Sequence, residues 1–169
     1  ARCVTDMRPA GTIFAKILRS PYPHARIANI DTTRAERLIG VKAVITAKNV
    51  PQHKFGPMID DWEFLAGDRV RFVGDEVAAV AAIDEDMADE ALDLIKVEYE
   101  ELPAVFDPEE AIKESAPLLY EDKKRNIAAV FEVEKGDTEA GFKQADYIFE
   151  DVYHTSQTYH AYLETKACL

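Results

Sequence analysis

The hydrophobic and polar positions of the chain follow their clearest pattern between residues 68 and 105. A short apolar run over 70–73 and a Gly-Asp turn precede a continuous run of Val and Ala over 76–83. Such a run is typical of a strand buried on both faces. After a helical segment, apolar and polar residues alternate over 96–100, as in a strand with one solvated face. The pattern therefore predicts a β-turn-β-α-β unit.

The helix of this unit carries its own start signals. Asp84 is a good N-cap, and Glu85 and Asp86 place negative charge in the first turn, where the helix dipole favours it. Apolar residues then recur at helical spacing on one face. They are Ala88, Ala91, Leu92 and Ile95.

The flanking sequence predicts further, shorter elements. Before the central unit we expect strands over 13–18, 25–30 and 42–46, and a helix from Arg34 that ends before Gly40. After it we expect helices over 107–115 and 138–145, and strands over 130–134 and 146–154. Two stretches without periodicity, 52–67 and 116–129, are interpreted as a long loop and a connector.

Charge is unevenly distributed along the 169 residues. The net charge is −12, but residues 1–59 are basic overall and residues 60–122 are strongly acidic. The acidic block would repel phosphates, so we expect no nucleic-acid partner. No apolar run approaches the roughly 18 residues of a membrane span, and Cys3 and Cys168 are too few for a disulfide framework. We therefore expect no membrane contact and a cytoplasmic location.

The sequence contains no local catalytic or cofactor motif. None of its seven glycines forms a G-x-G-x-x-G or P-loop pattern, and no G-x-S-x-G is present. His160, Glu164 and Cys168 would form a stripe on a helix, but this stretch continues a strand pattern that spreads them apart. We expect no catalytic, cofactor-binding or metal-ligating residue in this chain.

Several segments carry a family resemblance. RFVGDEVAAVAA, followed by an acidic capped helix and IKVEYEELPAVFDPEEAI, resembles the N-terminal α/β hammerhead domain of the molybdenum hydroxylase large subunit, in the xanthine dehydrogenase and aldehyde oxidase family. GTIFAKILRSPYPHARIANIDTTRAERLIGVKAVITAKNVP looks like the opening of that domain. KGDTEAGFKQADYIFEDVYHTSQTYHAYLET looks like its exit. The likeness covers almost the whole chain in the order of the family.

The resemblance implies an α+β fold of the α/β hammerhead type, a mixed curved sheet with two main packed helices that start at Glu85 and Arg34. It implies one domain over residues 1–169, with 156–169 starting the connection to a molybdenum-binding portion. Because the chain begins in the middle of a family motif, ARCVTDM, we expect a fragment of a longer protein. The residues expected at a domain interface are Phe72, Gly74, His160 and Glu164.

For the parent protein, the resemblance implies an oxidoreductase that hydroxylates an aldehyde or a heterocycle at a molybdenum–molybdopterin centre. Electrons would pass through iron–sulfur clusters to FAD in other domains or subunits. This chain would be a structural and docking domain, inactive alone, whose partners are the molybdenum-binding portion of the same subunit and the iron–sulfur and FAD domains or subunits.

Two other classes of protein compete with this interpretation. A carrier domain would attach biotin or lipoate to a turn Lys beside a Met, but none of the three Met residues has an adjacent Lys. A non-catalytic acidic protein-interaction module would use residues 60–122 and would bind a basic partner in a salt-sensitive manner.

Overall fold

The computed structural model describes residues 3–57, 59–164 and 167–169. The chain divides into two compact units, Ala10–Ala129 and a smaller one that combines the described residues of Ala1–Pro9 and Val130–Leu169. The strands are β1 (Phe14–Arg19), β2 (Ala25–Asp31), β3 (Val41–Thr46), β4 (Arg69–Val70), β5 (Glu76–Ala82) and β6 (Lys96–Glu101). The α-helices are α1 (Thr33–Glu36), α2 (Glu85–Leu94), α3 (Pro108–Ala111) and α4 (Thr138–Gln144).

The larger unit contains two three-stranded sheets, ordered β1-β5-β3 and β4-β2-β6. All of the pairings are antiparallel. The α+β class predicted from the sequence is confirmed, although these sheets are antiparallel where a mixed sheet was expected. The two helical connections, β2-α1-β3 and β5-α2-β6, each link strands of different sheets and so create no parallel pair.

Strand β5 is the centre of the first sheet, as its continuous Val and Ala run predicted. Val77, Ala78 and Ala82 are fully buried, and Val80 is nearly so. Small apolar side chains on both faces let β5 pair with β1 and β3 at once while helix α2 packs on the sheet.

Helix α2 also follows its sequence signals. The Asp84 carboxylate accepts a hydrogen bond from the backbone N–H of Met87 at 2.7 Å, which satisfies one of the free donors at the helix start. Ala88 and Ala91 are fully buried, and Ala91 packs in a cluster with Ala35 and Val80. The predicted face of α2 is therefore the one that contacts the core.

The other predicted helices are shorter than expected. Helix α1 is a single turn, and Ile39, which lies within the stretch expected to be helical, is 89% exposed. The helix ends at Glu36, and Gly40 adopts a φ of 103° directly before β3, a conformation that favours glycine. Helix α3, predicted over 107–115, ends at Ala111. The pair of main helices expected from Glu85 and Arg34 is thus one long helix and one short turn.

The predicted Gly-Asp turn at Gly74 does not join two strands that pair with each other. Strand β4 pairs with β2, whereas β5 pairs with β1 and β3, so the turn carries the chain from one sheet to the other. The apolar residues Phe72 and Val73 lie in this turn and are 54% and 63% exposed.

The smaller unit contains helix α4, which begins at Thr138 as predicted; the carboxylate of Asp137, directly before it, accepts from the N–H of Ala140 at 2.9 Å. The strands predicted over 130–134 and 146–154 are not formed; all residues of these two segments are described by the structure. Alternation predicts which faces a strand would present, but a strand also needs a neighbour that pairs with it. The apolar side chains of these segments are exposed instead.

Candidate functional site

The long loop over 52–67 folds into a cluster of aromatic rings. Phe55 and Trp62 form an isolated antiparallel bridge, in which each backbone N–H donates to the other's carbonyl at 2.9 Å. Their rings meet edge to face with centroids 5.9 Å apart, and Phe64 lies 4.8 Å from Phe55. The two backbone hydrogen bonds therefore position three aromatic rings together.

These rings line a cavity of about 450 Å³, which we call the aromatic cleft. The side chains of Trp62, Phe64 and Phe72 are 53%, 45% and 54% exposed. Large rings that stay half exposed on one surface are typical of an interaction site. The ionisable side chains that line the cleft are Asp61, Glu63, Arg71, Asp75, Glu76 and Tyr120.

Arg71 connects the aromatic cleft to the distant connector. Its guanidinium carbon lies 4.6 Å from the centroid of the Tyr120 ring, and its Nε–H donates to the carbonyl of Leu119 at 3.0 Å. One terminal nitrogen of the guanidinium lies 4.0 Å from a Glu63 carboxylate oxygen. With only 16% of its side chain exposed, Arg71 is held by a cation–π contact, a hydrogen bond and an ion pair.

Two ionisable groups of the cleft are affected by burial. Burial raises the pKa of Asp75, although the carboxylate accepts a hydrogen bond from the backbone N–H of Arg71 at 2.9 Å, which acts in the opposite direction. Burial also raises the pKa of Tyr120, which stays neutral at ordinary pH. Burial therefore disfavours the charged forms of both Asp75 and Tyr120.

The connector over 116–129 is an ordered strap, which the sequence did not reveal. The Asn126 amide accepts from the N–H of Leu119 at 2.9 Å and donates to the carbonyls of Ala111 and Pro117, both at 3.0 Å. Asn126 has a φ of 54°, and Asn tolerates this left-handed conformation better than most residues. The one sequence signal for these hydrogen bonds was an Asn in a polar connector. Such an Asn cannot be distinguished from an ordinary turn residue.

The predicted interface residues fall in both units. Phe72 and Gly74 share the turn before β5 in the larger unit; Gly74 has a φ of 97°, and its N–H donates to the carbonyl of Ser20 at 2.8 Å. His160 and Glu164 belong to the smaller unit. The participation of the four in a domain interface stays a prediction.

Within the smaller unit, both predicted residues make local contacts. The ring of His160 stacks on that of Tyr162 with centroids 5.2 Å apart. A carboxylate oxygen of Glu164 accepts from the backbone N–H of Val4 at 2.9 Å and so connects the two ends of the chain.

Metal-binding geometry is not found in the described part of the chain: no group of three or more His, Cys, Asp or Glu side chains could hold an ion. Across the same residues, no helix is long and apolar enough to cross a membrane.

Comparison with protein families gives two matches in order along the chain. A family described as "Aldehyde oxidase and xanthine dehydrogenase, a/b hammerhead domain" matches residues 1–103. A second family, described as "Molybdopterin cofactor-binding domain", matches residues 119–169. The second match begins before residue 156, where the sequence placed the start of the connection.

Curated relatives support the same grouping. The chain is 44% identical over 164 residues to a probable xanthine dehydrogenase subunit of Bacillus subtilis, covering 96% of this chain and 22% of the relative. It is 39% identical over 168 residues to the nicotinate dehydrogenase large molybdopterin subunit of Eubacterium barkeri, covering 99% of this chain and 39% of the relative. The chain thus spans between about a fifth and two fifths of these relatives.

Solved structures agree in fold. The Cu,Mo-CO dehydrogenase in its carbon monoxide reduced state superposes with a TM-score of 0.73 at 35% identity, covering 86% of this chain and 20% of that one. The aldehyde oxidoreductase of Desulfovibrio gigas gives a TM-score of 0.68 at 30% identity, covering 86% and 18%. With the hammerhead match extending over more than half of its residues, the chain belongs to the aldehyde oxidase and xanthine dehydrogenase family of a/b hammerhead domains.

Proposed function

We propose that this chain is the N-terminal structural and docking part of the large subunit of a molybdenum-dependent oxidoreductase. The observation that carries the proposal is the succession of a hammerhead match and a molybdopterin-domain match within one chain. The proposed reaction is hydroxylation of an aldehyde or a heterocycle, which is supported by relatives named for xanthine, nicotinate and aldehyde oxidation. The proposed location is the cytoplasm, on the grounds of the low cysteine content.

The exposed apolar surface of the smaller unit supports a docking role. Val133 and Phe149 are each 91% exposed, and Phe131 is 78% exposed, in the segments whose alternating pattern predicted strands. Side chains of this kind lower the free energy when another surface covers them. We propose that the molybdenum-binding portion of the same subunit covers them, and that iron–sulfur and FAD domains or subunits complete the enzyme.

The residues present do not form a molybdopterin site by themselves. The described part of 145–164 contains neither helix nor strand, and its side chains are exposed, so it offers no enclosed cradle of donors for the cofactor. The described residues also lack a metal-binding cluster. The proposed contribution of this chain is therefore to pack against the part that holds the cofactor.

Calorimetry of this chain with the remainder of its large subunit tests the proposal. We expect saturable association with a strongly negative heat-capacity change, because rebuilding an interface buries apolar surface. Binding that disappears at high salt and lacks this heat-capacity change would instead favour an acidic interaction module. No association at all would contradict the docking role.

A pair of Phe variants shows whether the predicted interface is the one used. Phe72→Ser removes an exposed ring at the predicted interface, and Phe106→Ser removes a ring that is 83% exposed elsewhere in the same unit. We expect Phe72→Ser to weaken association about tenfold and Phe106→Ser to leave it unchanged, since interface energy is concentrated in a few residues. Equal effects of the two variants would remove Phe72 from the interface.

A further inference from the structure

We propose that the aromatic cleft is a docking site for an arginine side chain presented by a partner protein. The cleft combines four aromatic walls, Phe55, Trp62, Phe64 and Phe72, with an excess of carboxylates over cations in its lining. The family descriptions assign the cleft no ligand. Phe72 is also a predicted domain-interface residue, so the proposal requires that the rings of Phe55, Trp62 and Phe64 stay open to a partner protein in the assembled subunit.

The charge of the cleft lining determines which ligand charge it attracts. Its lining contains Asp61, Glu63, Asp75 and Glu76 but only one cation, Arg71. Arg71 is already engaged by Glu63 and by Tyr120. A neutral or anionic ligand would leave this excess negative charge uncompensated, whereas a cation would be attracted to it.

Two of the four carboxylates are available to an incoming cation. Glu76 is paired with Arg19 at 2.6 Å, and Glu63 lies beside Arg71. Asp61 forms no ion pair with any residue that the structure describes, and Asp75 accepts only backbone hydrogen bonds there. Asp61 and Asp75 therefore provide the charge that a partner cation would meet.

The aromatic walls select a guanidinium over an ammonium group. A planar guanidinium stacks on aromatic faces and donates several hydrogen bonds at its edge, whereas an ammonium group is a compact and strongly hydrated charge. The cleft already contains one such contact, since Arg71 lies 4.6 Å from the Tyr120 ring centroid. A second guanidinium could repeat this arrangement on the half-exposed rings of Trp62 and Phe64.

The shape of the cleft favours a protein partner over a small molecule. Sites for small ligands enclose most of the ligand surface, but the rings of this cleft are 37–54% exposed. Val73, the residue after Phe72, is also 63% exposed. Trp and Arg are the residues that most often dominate the energy of protein interfaces, and they are the two that this docking would bring together.

Trp62 is the only tryptophan of the chain, so its fluorescence reports directly on the cleft. The 169-residue chain is titrated with the peptide acetyl-Ala-Arg-Ala-amide and with the same peptide containing citrulline, which has nearly the same shape without the charge. We expect a saturable change in Trp62 emission with the arginine peptide and about tenfold or more weaker binding of the citrulline peptide. Amide chemical shifts provide a second measurement and should change in residues 53–76 and at Tyr120.

Matched variants test the role of the free carboxylate. Asp61→Asn should weaken binding of the arginine peptide several-fold, whereas Glu90→Gln, an equivalent change at an exposed position of α2, should leave it unchanged. Equal affinity for the two peptides, or no change in either measurement at millimolar peptide, would overturn the proposal. Methylguanidinium binding as tightly as the peptide would also overturn it and would identify a site for a free organic cation.

The docking proposal and the arginine-site proposal can be rejected independently of each other. Association of this chain with the remainder of its large subunit, followed by calorimetry, does not require the cleft to bind arginine. Loss of peptide binding with intact subunit assembly therefore rejects only the arginine site.

Discussion

The guanidinium of Arg71 lies over the ring of Tyr120, with 4.6 Å between its central carbon and the ring centroid. The two residues are far apart in the sequence, and their contact holds the connector over 116–129 against the end of β4. The neighbouring Nε–H to Leu119 carbonyl bond, at 3.0 Å, reinforces the same connection. One arginine thus lines the aromatic cleft and holds the segment that supplies part of its lining.

Arg71→Lys should lower the free energy of unfolding by about 1–2 kcal/mol, because lysine keeps the charge but loses the planar stacking and the Nε–H donor. Arg26→Lys is the control: Arg26 also pairs with a carboxylate, Glu100, but its side chain is 57% exposed, and we expect a loss below about 1 kcal/mol. Urea unfolding followed by Trp62 fluorescence measures both. Equal losses would mean that the contact with Tyr120 adds nothing.

Asn126 should be the most sensitive position of the strap. Asn126→Ala removes three hydrogen bonds and places an alanine at a φ of 54°, so we expect a loss of about 2–3 kcal/mol. Asn126→Gly loses the same hydrogen bonds without the backbone strain and should be less destabilised by about 1 kcal/mol. Hydrogen exchange at the Leu119 amide should accelerate in both variants, and protection as in the parent chain would contradict the role of Asn126.

The parts of the fold that the sequence predicted are those specified by neighbouring residues. The cap at Asp84, the stripe containing Ala88 and Ala91, and the Val and Ala run of β5 each lie within one element and needed no knowledge of distant partners. The family resemblance was confirmed for the same reason, since it rested on these contiguous segments.

The aromatic cleft could not be predicted because it depends on contacts between distant segments. Trp62 lies in the stretch 52–67 that the sequence identified only as a long loop, and nothing local joined Arg71 to Tyr120 or Asn126 to the carbonyl of Ala111. The strands expected over 130–134 and 146–154 failed for the opposite reason. Their local pattern was correct for a strand, but a strand forms only where a second one pairs with it.

Asp75 and Asp31 should have opposite effects on stability as the pH changes. Burial raises the pKa of Asp75 above its ordinary value of 3.8, so the folded chain holds this proton when the unfolded chain has lost it. The contribution of Asp75 to stability therefore falls as the pH rises from about 3.8 through the raised pKa. Hydrogen bonds from Thr33 lower the pKa of Asp31, whose contribution is present above 3.8 and is lost as the pH falls through the lowered value.

Urea unfolding of Asp75→Asn and Asp31→Asn across the acidic range measures these two effects. The free energy of unfolding of Asp75→Asn, relative to that of the parent chain, should increase as the pH rises. The relative free energy of unfolding of Asp31→Asn should decrease over the same pH range. The same pH slope for both variants would show that burial does not dominate at Asp75.

Alanine substitutions at Gly74 and Gly67 distinguish the stability cost of backbone strain from the stability cost of steric crowding. A Cβ at Gly74 would meet nothing within 4 Å, but the φ of 97° is one that L-residues rarely adopt, so Gly74→Ala should cost about 1–2 kcal/mol. At Gly67 the nearest atom would be the Cβ of Ala47 at 3.5 Å, an ordinary contact, and no positive φ opposes the change. Gly67→Ala should therefore stay within about 0.5 kcal/mol of the parent chain, because it adds no strain and restricts the unfolded chain. If unfolding in urea shows Gly74→Ala to be as stable as Gly67→Ala, the turn between the sheets can relax, and Gly74 is not needed to hold Phe72 at the surface.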